Sequence, residues 1–70
     1  MNLVELKVQM LRKGFTISSL AKEMGVSKKR LYSRFNGTHD FTQEEIQLIS
    51  DLLNLNGTQI IKIFFTSKVS

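Results

Sequence analysis

The chain has no cysteine, no proline, a single histidine and no long apolar run, and each absence removes a class of protein. Without cysteine there is neither a disulfide framework nor a thiolate metal site, and a lone His39 cannot build a zinc site. The core must therefore come from apolar packing alone. No apolar segment approaches the roughly 20 residues of a membrane span. The opening MNLVELKVQM mixes Asn2, Glu5 and Lys7 into its apolar residues, unlike the uninterrupted apolar core of a secretory signal. The expectation is a soluble protein of an intracellular, reducing compartment. A chain of 70 residues makes one domain, 1–70, which buries about 60% of its unfolded surface. One histidine, no phosphate-binding glycine loop, no metal spacing and little room for a pocket of about 300 Å³ or more argue against an enzyme. No cofactor, metal or small-molecule ligand is expected.

What the chain does have is an uneven charge. Between Arg12 and Arg34 lie seven basic residues, Arg12, Lys13, Lys22, Lys28, Lys29, Arg30 and Arg34, against Glu23 alone. From Phe35 onward Lys62 and Lys68 face Asp40, Glu44, Glu45 and Asp51, so the second half is mildly acidic. A basic half joined to an acidic one is the electrostatic footprint of a nucleic-acid binder, although ordinary proteins carry it too.

Apolar residues recur at three- and four-residue intervals and no stretch alternates like a half-buried strand, so the chain reads as all-α. One capping pattern occurs five times: an apolar residue, then Ser, Thr or Asn as N-cap, then an apolar residue four places on. Its members are Met1-Asn2-Leu6, Phe15-Thr16-Leu20, Val26-Ser27-Leu31, Phe41-Thr42-Ile46 and Leu55-Asn56-Ile60. Glu5, Glu45 and Gln59 add the reciprocal half of a capping box for Asn2, Thr42 and Asn56. Gly14, Gly25 and Gly37 stand where helices end. The pattern predicts five helices, over 3–13, 17–24, 28–36, 43–53 and 57–66, with Ser67 to Ser70 frayed. The predicted core is Leu3, Leu6, Met10, Ile17, Leu20, Ala21, Met24, Val26, Leu31, Phe35, Ile46, Ile49, Leu53, Ile60 and Phe64.

Only Gly25, Val26 and Ser27 separate the second and third helices, which is helix-turn-helix spacing: Gly25 permits a positive φ, Val26 plugs the corner, and small Ala21 allows close approach. On the third helix, at about 100° per residue, Leu31 and Phe35 point within about 40° of one another and mark the buried side. The opposite arc carries Tyr32, Asn36, Lys29, Ser33 and Arg30, with Lys28 projecting from the tip. These groups suit base edges and phosphates. The N-termini of both helices also present backbone N–H groups to phosphate. Taken singly, Lys29, Arg30 and Arg34 are what any solvated surface helix carries.

The stretch TISSLAKEMGVSKKRLYSRFNG resembles the helix-turn-helix of the phage Cro and repressor family, the Xre-like class of small bacterial and phage regulators, and the resemblance extends over nearly the whole chain. It implies a compact five-helix, lambda-repressor-like DNA-binding domain whose third helix enters the major groove. Residue by residue, it places Lys28, Lys29, Tyr32 and Ser33 at base-reading positions, and Asn36 with the following loop at the DNA backbone. Thr16, Ser18, Ser27, Arg30 and Thr38 complete the backbone set. Two positions depart from the family. Ile17 stands where Gln often supports the recognition helix or touches the DNA backbone, so that either Thr16 or Ser18 substitutes or the contact is absent. Arg34 occupies a position that is commonly apolar, so Phe35 is expected to anchor the core while Arg34 reaches phosphate or solvent. Thr38 and His39 follow in a loop, where either donates to phosphate or His39 is simply exposed.

The final helix, TQIIKIFF, holds more apolar residues than a small bundle covers, which suggests a partner surface through Ile63 and Phe65. The simplest partner is a second copy, giving a twofold dimer that addresses half-sites about 34 Å apart. In a monomer, Ile63 or Phe65 would stay partly exposed. The expected function is a sequence-specific, double-stranded DNA-binding regulator, a Cro-like repressor acting by operator occupancy. Such a regulator works in the cytoplasm of a bacterial or phage-infected cell, at the nucleoid. The alternative is a protein-interaction adaptor or antitoxin-like module on the same architecture, working through the final helix.

Overall fold

Each helix starts because a short polar side chain takes the place of a missing carbonyl. The computed structural model describes residues 1–65 and contains α1 (Leu3–Arg12), α2 (Ile17–Met24), α3 (Lys28–Phe35), α4 (Gln43–Leu52) and α5 (Gly57–Phe64). The expected end of the last helix at Thr66 and the fraying of Ser67 to Ser70 lie outside the described residues. All five expected N-caps form: the side-chain oxygens of Asn2, Thr16, Ser27, Thr42 and Asn56 each accept the backbone N–H three residues on. The boxes at Thr42–Glu45 and Asn56–Gln59 close as expected.

The box expected at Asn2 does not close, for a tertiary reason. The Asn2 N–H donates to the Ile63 carbonyl at 2.7 Å, tying the start of α1 to α5. Glu5 is thereby released to accept from Gln9 Nε2 at 2.8 Å and to pair with Lys62 Nζ at 3.8 Å. A box that the sequence reading missed closes at α2, where Ser19 Oγ accepts the Thr16 N–H at 2.9 Å. At the end of α2, Gly25 adopts φ 74° and lets Val26 N–H reach back to the Ala21 carbonyl at 3.0 Å. After α4 the same left-handed turn is made by Asn54, at φ 52°, a residue type that tolerates it better than most.

The core draws a fully buried residue from every helix and from the turn after α4: Leu6, Leu20, Leu31, Ile49, Leu53 and Ile63. Two members were not foreseen. Phe41, read only as the residue before an N-cap, sits edge-on between Phe35 (5.7 Å) and Phe64 (5.6 Å) and joins α3 to α5 through aromatic contacts. Ile63, expected at a partner surface with Phe65, is wholly buried. On α5 it falls on the side of Phe64 and Ile60, so none of its side chain is exposed to a partner. Leu3, Ile17, Val26, Ile46 and Ile60 pack against the core while remaining partly exposed.

Inside α4 the buried Ser50 hydroxyl has no hydrogen-bond partner. A buried unsatisfied hydroxyl costs about 1–3 kcal/mol, and alanine is the better helix former. Ser50→Ala should therefore raise the urea midpoint, by about 1 kcal/mol of stability. A midpoint that falls would mean the hydroxyl has a partner in solution.

Candidate nucleic-acid interface

The geometry of α2, the turn and α3 follows from a few side chains. Ala21, with almost no side chain, is buried where the helices meet, and Leu20, Met24, Leu31 and Phe35 fill the space beneath them. Leu31 and Phe35 point inward, so the far side of α3 is held outward by packing rather than by its charges. The Ser27 oxygen is occupied in capping, accepting the Arg30 N–H at 3.0 Å. The first-turn N–H groups of Lys28 and Lys29 have no carbonyl within a helix to receive them and point out of its N-terminus.

The expected contact residues divide into two groups. Lys28, Lys29, Tyr32 and Asn36 are exposed, with Tyr32 at 51%. Among the described residues no ion pair involves Lys28 or Lys29. Ser33 is only partly exposed, and its hydroxyl is engaged internally, donating to the Arg30 carbonyl at 2.7 Å and accepting from Arg34 Nη1 at 3.3 Å. Asn36 Oδ1 accepts both the N–H and the hydroxyl of Thr38, at 2.9 and 2.6 Å, which fixes the loop after α3. Thr16 caps α2 while Ser18 and His39 are exposed. Ile17, at the position the family often gives to Gln, packs against the core.

Arg30, expected beside the DNA backbone, and Arg34, expected at phosphate or in solvent, are both held against another helix. Both bind Glu45, the third residue of α4: Arg30 Nε donates to Oε2 at 3.0 Å and Arg34 Nε to Oε1 at 3.1 Å. The Thr42 N–H donates to Oε1 at 2.9 Å. Glu45 and Arg34 side chains are 5% and 11% exposed, and that of Arg30 is 50%. Burial by itself pushes the Glu45 carboxyl up; the hydrogen bonds from Thr42, Arg34 and Arg30 outweigh it and hold the pKa at about 2, below the ordinary 4.5. The departure at Arg34 is thus explained, because an arginine fits a commonly apolar position when its charge is met by a buried carboxylate. Sequence reasoning missed this clamp, although two signals pointed to it: cations four apart on one helical face, and an acid in the capping box that opens the next helix.

A model of the helix-turn-helix family matches residues 6–60, with the α2–turn–α3 unit inside the match. The chain belongs to that family, in its Cro and repressor type. No curated protein and no solved structure matches it. Helix-turn-helix domains of this family are DNA-binding regulatory domains and not typically enzymes. A hollow of about 240 Å³ lies away from α3, among Gln9, Arg12, Lys13, Asn54 and Gln59. Among the described residues no helix is long and apolar enough to cross a membrane.

Proposed function

We propose that this helix-turn-helix chain is a sequence-specific regulator that seats α3 in the major groove of duplex DNA and acts as a Cro-like repressor by occupying its operator. The observation that carries the reading is the outward arc of α3, where Lys28, Lys29 and Tyr32 stand exposed without an opposing acid on a helix anchored from behind by Leu31 and Phe35. Lys28, Lys29 and Tyr32 meet base edges, with Ser33 at the rim. Thr16, Ser18, Ser27, Asn36 and Thr38, with the helix N-termini, meet phosphates. The test is selection from random duplex DNA followed by sequencing. Enrichment of a short motif, bound with a steep salt dependence, is the expected result; recovery of no motif would overturn the reading.

The exposed Phe65, 56% accessible at the end of α5, favours a twofold homodimer, with Ile61 one turn earlier replacing Ile63 in that role. Phe65→Asp should then convert a dimer to a monomer in sedimentation experiments and reduce a palindromic selected motif to a half-site. An unchanged mass would place the dimer elsewhere or remove it.

A further inference from the structure

We propose that Glu45 sets DNA specificity by withholding Arg30 and Arg34 from the phosphate backbone; the inference rests on the DNA-binding reading above. Arg30 and Arg34 lie four residues apart, within about 40° on the helical projection, and both direct Nε to the Glu45 carboxylate at the start of α4, Arg34 nearly buried and Arg30 half-exposed. The carboxylate they share is buried and accepts three hydrogen bonds, with Thr42 N–H and Arg34 Nε on one oxygen and Arg30 Nε on the other. A second tie, Arg34 Nη1 to Ser33 Oγ, fixes the guanidinium along α3. Of the four cations in α3, Arg30 and Arg34 are paired with Glu45, while Lys28 and Lys29 are exposed and in no ion pair among the described residues.

The consequence is a matter of which energy term dominates. A cation that meets a phosphate adds affinity for every sequence alike, with a slope of log K against log salt near −0.9 per contact. A cation held away from phosphate raises the share of binding that comes from base edges. Glu45 therefore trades total affinity for discrimination.

The experiment measures salt-dependent binding to a selected duplex and to its scrambled counterpart, for the wild type, Glu45→Gln, Arg30→Gln and the double variant. Gln keeps an acceptor for the Thr42 N–H and removes the charge. Glu45→Gln should steepen the slope by about 0.9 for each released arginine, up to about 1.8, and tighten scrambled-duplex binding by about tenfold or more, so that the ratio of selected to scrambled affinity falls. The double variant, which releases Arg34 alone, should show about half of that increase. Arg30→Gln alone keeps the Glu45–Arg34 pair, stays informative if Glu45→Gln fails to fold, and should show the wild-type slope. A slope shallower by about 0.9 in Arg30→Gln would show that Arg30 already meets phosphate and would overturn the inference. Equal loss of both affinities in Glu45→Gln, at unchanged slope, would reduce Glu45 to a purely structural part and overturn it too. A wild type that binds neither duplex overturns the functional reading itself, and this inference with it.

Discussion

Glu45→Ala should cost about 3–5 kcal/mol of folding stability, most of what a domain of this size possesses. The change removes one end of the α4 capping box and leaves the nearly buried Arg34 guanidinium without its counter-charge. An uncompensated buried charge is what makes breaking such a pair expensive, more so than the pair's own attraction. Urea unfolding followed by circular dichroism measures the loss directly. The same carboxylate makes stability depend on pH in a defined direction. Its folded pKa of about 2 lies below the ordinary 4.5, so its contribution is complete above about pH 4.5 and is lost as the pH falls toward 2. That contribution is of the order of 3 kcal/mol. Glu45→Gln should accordingly lose less stability than the wild type over that interval. Parallel stability curves for the two proteins would show that Glu45 is not held ionised by the arginines.

Lys29→Glu should weaken binding to the selected duplex about 100-fold, or about 3 kcal/mol, at moderate salt. It removes a cation from the centre of the outward arc of α3 and sets an anion against the DNA. Lys29 is exposed and without an ion-pair partner among the described residues, so the thermal midpoint should move little. Lys7→Glu, a reversal of equal charge on the exposed side of α1, is the control and should change affinity far less. Equal losses in the two variants would mean that net charge, not the face of α3, governs binding.

Local signals carried most of the fold. The five N-caps and the turn glycine at Gly25 act within four residues, and they set the five helix starts and the ends of α1 to α4 where the sequence placed them, to within one residue. The errors arose where partners lie far apart in the chain. Asn2 finds Ile63 and so abandons its box; Phe41 finds both Phe35 and Phe64; Ile63 turns inward on an α5 that has more apolar residues than one face can hold. Asn54 was overlooked because only glycines were read as left-handed caps. In the candidate interface, helical spacing alone separated Lys28, Lys29 and Tyr32 from Leu31 and Phe35. It could not show that Arg30 and Arg34 face an acid from another helix, since that pairing depends on how α4 packs. A one-helix projection therefore showed neither arginine's ion pair.

The central claim is that the outer face of α3 meets DNA, and nitrogen-15 NMR titration with the selected duplex tests it most directly. The predicted result is large amide shift changes at Lys28, Lys29, Tyr32 and Asn36 and at the start of α2, with α1 and the buried side of α3 little affected. Shift changes concentrated on α1 and α5, with Lys28 to Asn36 unmoved, would contradict it.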